Sequence, residues 1–136
     1  MQPIERVNDF VVKFANVNGS GSASANELFA RSILRMGIPV SPRNIFPSNI
    51  QGLPTWYEIR ITKDNYRCRA TNVDIVVAMN AETYAKDLQE VVSGGYFIYD
   101  STWPRSALLK RDDITVLGVP LAKMCNESFN GVRNRI

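Results

Sequence analysis

Residues 10–36 join three unlike pieces in an order that few folds accommodate. Phe10–Val17 is an almost unbroken apolar run, a loop of small residues follows, and Ala25, Leu28, Phe29, Ile33 and Met36 then recur at helical spacing. A short apolar run of this kind reads as a strand buried on both faces, as in a parallel sheet. Ser24 with Glu27 three residues later is a capping-box pattern, which starts the helix near Ser22 to Ser24. Gly19-Ser-Gly-Ser-Ala-Ser24 fits G-x-G-x-x-small. A strand, such a loop and a helix start together aim backbone N–H groups and the positive end of a helix dipole at one spot, which suits an anion. The same small residues equally serve a strand that simply turns closely into a helix. A dinucleotide site would also need an acidic residue about 20 positions further on. No Asp or Glu stands between Glu27 and Glu58, which argues against an NAD-binding protein and leaves other phosphate ligands open.

The 136 residues suffice for one domain with a real core and are too few for two ordinary ones. There is no histidine, so Ser-His-Asp and Cys-His catalysis are excluded. The two cysteines, Cys68 and Cys125, form no C-x-x-C pair, and an iron–sulfur cluster would need about four thiolates. No catalytic or metal-ligating residue is assigned. The net charge of +3 is spread without a basic run, so no nucleic-acid footprint is expected. No apolar stretch is long enough for a bilayer, and the expected location is cytoplasmic.

After the helix, Gly37 and Pro39 mark its end. Val40–Phe46 reads as a weaker strand broken by Pro42, and residues 47–55 as a loop with two prolines. Trp56–Ile61 alternates like a half-exposed strand, and a turn at Lys63–Tyr66 predicts a hairpin back through Arg67–Thr71. Val73–Met79 is the cleanest buried strand. A short helix with Tyr84, Ala85, Leu88, Val91 and Val92 on one side follows, ended by Gly94-Gly95, and Tyr96–Tyr99 and Ile114–Leu117 are further strands. Leu121–Ile136 reads as a last helix that caps at Gly131, with Pro120 in its first turn. The alternation predicts an α/β fold: a single open, mostly parallel, Rossmann-like sheet with flanking helices and an antiparallel hairpin element. Ligands of such sheets collect beyond the carboxyl ends of the strands, here Asn18–Ser22, Asn80–Thr83 and Asp100–Thr102. Asp100 is expected as a turn former rather than a functional carboxylate, and Arg60 as a solvated side chain or a subunit contact. Trp56, Tyr57 and Trp103 are candidates for an interface or for the core.

Three stretches, Val17–Asn26, Phe46–Arg60 and Val73–Glu82, resemble the gamma-type domain of 2-oxoacid:ferredoxin oxidoreductases, in the version found at the amino end of the alpha subunit of 2-oxoglutarate-type enzymes. The resemblance runs from about Val7 to Ile136, and Ser48–Tyr57 is its most specific part. It implies a part in the oxidative decarboxylation of a 2-oxoacid, 2-oxoglutarate by the closer match, to its acyl-CoA with ferredoxin as electron acceptor. It implies that residues 1–136 are one gamma-type domain, a piece of a longer alpha subunit that is inactive alone. Thiamine diphosphate and the iron–sulfur clusters would then lie in partners: a thiamine diphosphate-binding beta subunit and the rest of the alpha subunit. Coenzyme A access and subunit packing would be this domain's share, against the alternative of a structural assembly module with no ligand of its own. In that reading Asn18, Gly19, Ser20, Gly21 and Ser22 would meet the pyrophosphate. Ser48, Asn49 and Gln51 would face the catalytic partner or the coenzyme A tail, or else bond only within their own loop. Asn80 and Glu82 would border the same crevice, though Glu82 fits equally well as a first-turn charge.

Overall fold

The structure, a computed structural model, describes residues 5–47, 49–103 and 110–128. In chain order it runs β1 (Asp9–Val17), α1 (Ser22–Arg35), β2 (Val40–Ile45), β3 (Pro54–Thr62), β4 (Val73–Ala78), a 3-10 turn (Ala81–Thr83), α2 (Tyr84–Glu90), β5 (Val91–Asp100), β6 (Thr115–Val119) and α3 (Leu121–Ser128). The strands form one sheet in the order β2-β3-β1-β4-β5-β6. β1, β4, β5 and β6 are parallel, while β3 is antiparallel to both β1 and β2. The fold is therefore the expected α/β sheet with an antiparallel hairpin. That hairpin is β2–β3, however, and not Trp56–Ile61 folding back onto Arg67–Thr71. Residues 63–72 instead form a loop, because β3 already has β1 on one side and β2 on the other. Pro42 is tolerated because β2 is an edge strand.

Successive side chains of β1 feed opposite faces of the sheet. Val12 packs with Ala30 of α1 and with Tyr57, Ile59 and Ile61 of β3, joined by Phe10, Phe14, Ile75 and Val77. Val11, on the other face, packs with Val76, Tyr84, Leu88 and Phe97 beneath α2. β3 is not half-exposed as its alternation suggests. Glu58 is buried beside Arg69, and Trp56 is buried with its indole N–H donating to Asp87 at 2.7 Å. The polar positions of that alternation face a layer of buried charge.

Two helix expectations are corrected. The stripe of α1 turned to the sheet is Asn26, Ala30 and the expected Ile33, with the Phe29 ring at its margin edge-on to Phe14 of β1 at 5.7 Å, while Ala25, Leu28 and Met36 face outward. The small Ala30 brings the helix close to β1 and β3, which a Leu or Phe at the contact would prevent. The Ser24–Glu27 capping box does not form. Gly21 is the N-cap, without a side-chain bond, and Glu27 pairs with Arg31 at 2.6 Å. At the other end of the chain α2 stops at Glu90, and Gly94-Gly95 lies inside β5. There the β4–β5 register shifts, and a Cβ at Gly95 would stand 2.6 Å from the Asp74 carbonyl oxygen. Arg111 locks this corner, donating to the carbonyls of Leu88 at 2.7 Å and Val91 at 2.8 Å while paired with Asp113. The cap expected at Gly131 lies outside the described residues.

Asp87, fully buried, is the group whose ionisation the fold resists. Burial pushes its carboxyl above the ordinary range, against hydrogen bonds from Thr83 and Trp56 and the nearby Lys13 charge. The Thr83 hydroxyl has one proton and two acceptors in reach, Asp87 Oδ2 and the Asn80 carbonyl. Only a protonated Asp87 lets both be satisfied. A carboxyl raised in the folded state stabilises below its unfolded pKa and loses that contribution as pH rises through the folded value. Stability measured by urea unfolding is therefore expected to fall, as pH rises above the ordinary carboxylate range, more steeply in the natural chain than in Asp87→Asn. Equal slopes would mean that Asp87 titrates normally.

Candidate functional site

β1 ends at Val17, and the chain turns through Asn18–Gly21 into α1. Gly19 and Gly21 both have φ of +80°, a left-handed conformation that side chains rarely adopt. Ser20 N–H donates back to the Val17 carbonyl at 3.3 Å, closing the turn. The loop after β2 lies alongside it. Asn18 N–H donates to Leu53 O at 2.8 Å, Gly52 N–H to Asn18 O at 3.0 Å, and Asn18 Nδ2 to Ile50 O at 3.1 Å. These bonds tie two loops from neighbouring strands into one rim.

Under that rim is a depression of about 270 Å³. It is lined by Val17 and Asn26, by Asn18, Gly19, Gly21 and Ser22 of the turn, and by Phe46, Trp56 and Tyr57. Several features suit it to an anion with an apolar portion. The first turn of α1 has neither an acidic residue nor a side-chain cap, so its dipole end is not neutralised from within. The Asn26 side chain is 7% exposed, and its Nδ2 has no hydrogen-bond partner among the described residues. A buried amide without an acceptor costs about 1–3 kcal/mol unless something fills the gap. Burial, with Glu27 nearby, raises the Tyr57 phenol, which stays a donor at neutral pH.

The ten candidate residues fall into three groups. Asn18, Gly19, Gly21 and Ser22 line the depression, and Ser20 stands beside it with its hydroxyl donating to Ser22 Oγ at 3.0 Å. Gln51 packs over Gly19 and Asn49 is exposed on the same loop, while Ser48 lies outside the described residues. Asn80 and Glu82 stand apart. Asn80 accepts from the Glu82 N–H at 3.1 Å and so caps the 3-10 turn, and neither lines the depression. Asp100 is a turn former: it accepts from Thr102 N–H at 2.9 Å and from Ala122 N–H, at the start of α3, at 3.3 Å. Trp56 and Tyr57 are core residues that also show one edge to the depression, Trp103 is exposed, and Arg60 is half-buried. Asn26, Asn44 and Phe46 are lining residues that the sequence did not single out. Asn26 was findable, since it stands at helical spacing from Ala30 and Ile33. Among the described residues no group of His, Cys, Asp or Glu could hold a metal ion, and no helix is long and apolar enough to cross a membrane.

Comparison with known proteins gives a consistent set of relatives. Residues 11–135 match the family described as pyruvate ferredoxin/flavodoxin oxidoreductase. Subunit alpha of 2-oxoacid:ferredoxin oxidoreductase 2 from Aeropyrum pernix is 29% identical over 112 residues. That match covers 82% of this chain, and the chain spans only 17% of the relative. A solved 2-oxoglutarate:ferredoxin oxidoreductase from Magnetococcus marinus, with 2-oxoglutarate, coenzyme A and succinyl-CoA bound, superposes with a TM-score of 0.77 at 22% identity. It covers 90% of this chain and 22% of that one. Pyruvate oxidoreductase subunit PORC from Thermotoga maritima gives 0.74 at 17% identity, over 94% of this chain and 71% of that one. The gamma subunit of a keto/oxoacid ferredoxin oxidoreductase from Geobacter sulfurreducens gives 0.66 at 15% identity, over 88% and 66%. At these identities the solved structures establish a common fold.

The two glycines of the turn are expected to respond differently to alanine. A Cβ at Gly19 would sit 2.7 Å from Gln51 Cγ, whereas one at Gly21 meets open space. Both substitutions carry the left-handed strain of about 1–2 kcal/mol, and Gly19→Ala adds the displacement of Gln51. Urea unfolding should rank Gly19→Ala as the less stable variant; the reverse order would contradict the packing of the two loops.

Proposed function

The chain belongs to the pyruvate ferredoxin/flavodoxin oxidoreductase family, and from that premise we propose that it is the gamma-type domain of a 2-oxoacid:ferredoxin oxidoreductase. The whole enzyme would oxidatively decarboxylate a 2-oxoacid, in this reading 2-oxoglutarate, to its acyl-CoA and pass the electrons to ferredoxin. The domain's own task is to receive coenzyme A and to pack against the catalytic subunits. Thiamine diphosphate and iron–sulfur clusters, held by a beta subunit and the remainder of an alpha-type subunit, supply the carbon and electron chemistry. On its own the chain is not expected to turn over.

The observation that carries the coenzyme A assignment is the uncapped first turn of α1 above the buried, unpartnered Asn26 amide. A diphosphate placed there meets backbone N–H groups at a positive dipole end and a side-chain donor that lacks an acceptor. Gly19 and Gly21 keep the backbone bare, so the phosphates can approach it closely. Phe46 and Tyr57 offer an apolar wall for the uncharged part of the ligand. Among the described residues neither lysine nor arginine lines the depression, so orientation rests on amides rather than on mobile charges. The packing role is supported by the outer face of α1, where Leu28 and Met36 are 62% and 74% exposed.

Gly21→Val, a β-branched residue at a positive φ, is expected to distort the turn without entering the core. In the assembled enzyme its KM for coenzyme A should rise about tenfold, equivalent to about 1.4 kcal/mol, while the KM for the 2-oxoacid stays as it was. An unchanged KM for coenzyme A would remove this loop from the site.

A further inference from the structure

The sheet has a second depression at its opposite edge, where β1 and β4 begin and β3 ends. We propose that it is an oxyanion site, built by Arg6, Arg60 and Arg69 for a carboxylate or phosphate group of a small molecule. This inference does not rest on the coenzyme A reading. The depression is about 330 Å³, within the range of small-ligand pockets of about 300–1,000 Å³. The three guanidiniums reach it from separate parts of the chain: the lead-in, β3 and the loop before β4.

Two carboxylates also line it, Asp74 and Asp9, against the three guanidiniums. Asp74 is buried, accepting from Val11 N–H at 2.8 Å through Oδ2, while its Oδ1 stands 3.2 Å from Arg6 Nη1 without a hydrogen bond among the described residues. Asp9 is exposed and screened by solvent. Arg69 Nε stands 3.7 Å from Glu58 Oε2, beyond hydrogen-bond distance, and that oxygen has no hydrogen-bond partner among the described residues. Arg60 is the decisive group. Its guanidinium is held by one hydrogen bond to the Cys68 carbonyl at 3.1 Å and by stacking over Tyr66 at 5.7 Å. Among the described residues no carboxylate lies within 4 Å of it. A half-buried guanidinium that is oriented yet lacks a counter-charge is a fork waiting for two oxygens, and Arg6 and Arg69 stand on the same space with N–H groups to spare.

The test is a titration of the chain with sodium phosphate, and separately with sodium acetate, against sodium chloride at constant ionic strength. The side-chain Nε–H signals of Arg60 and Arg69 are followed by NMR. Saturable shifts with phosphate, acetate or both support the site, and their ratio tells which group it prefers. Arg60→Gln should weaken that binding about tenfold; if it does not fold, Arg69→Gln, on a largely exposed side chain, replaces it. Gly21→Val should leave the Arg60 and Arg69 shifts intact, which separates this site from the glycine turn. Equal shifts with chloride, shifts confined to Gly19–Ala25, or undiminished binding by a folded Arg60→Gln would each overturn the proposal.

Discussion

Everything functional in this molecule depends on β1 being hydrogen-bonded along both sides. It pairs with β3 over its whole length and with β4 from Val12 to Ala15, so neither edge is free. The only way out for the chain is beyond the carboxyl end of the strand. The parallel neighbours β4 and β5 finish at the same edge, and the connection after β4, the 3-10 turn and α2, occupies the far side of the sheet. The turn at Asn18–Gly21 is thereby forced to face outward, with α1 behind it and the loop after β2 alongside. The strand needs apolar residues on both faces to sit in the middle, and the turn needs glycine to leave it sharply. One stretch of sequence therefore encodes the centre of the core and the lip of the site together.

That coupling is why the turn could be read from the sequence while its surroundings could not. The apolar run at Phe10–Val17 and the glycines after it are local signals, and the fold class followed from their repetition along the chain. The partner of β3 was not local. A turn at Lys63–Tyr66 is a sound hairpin signal, but β3 is filled on both sides by strands from earlier in the chain. The helix face was misread for a related reason. Leu28 and Met36 of α1 mark a surface left open, and the side against the sheet is set by the small Ala30 and by Asn26, with Ile33 and the Phe29 ring beside them. Size, not hydrophobicity, decides that contact.

The face of the sheet under α2 carries a polar layer that periodicity alone mistakes for exposure. Lys13 is buried and paired with Glu90, and Lys13 and Lys86 both stand over the Trp56 ring. Trp56 donates to Asp87, whose own carboxyl is held toward neutrality by burial. Trp56 thus serves this polar layer as core and as hydrogen-bond donor, while its strand neighbour Tyr57, on the other face of the sheet, lines the glycine-turn depression. Roles of that kind belong to the tertiary arrangement, and no spacing rule in the sequence announces them. Asn26 differs in that its place on the inner stripe of α1 follows from helical spacing, although its unpartnered amide becomes meaningful only when the loop beside it is seen.

The central claim is that the bare amides at the start of α1 receive a diphosphate. Backbone amide NMR of the chain during titration with coenzyme A, with dephospho-coenzyme A and pantetheine as companions, tests it most directly. The account expects the two diphosphate-bearing compounds to shift the amides of residues 19–25 and the Asn26 side-chain NH₂ together, and pantetheine to leave them still. Shifts elsewhere with that turn unmoved, or a response to pantetheine equal to that of coenzyme A, would contradict it.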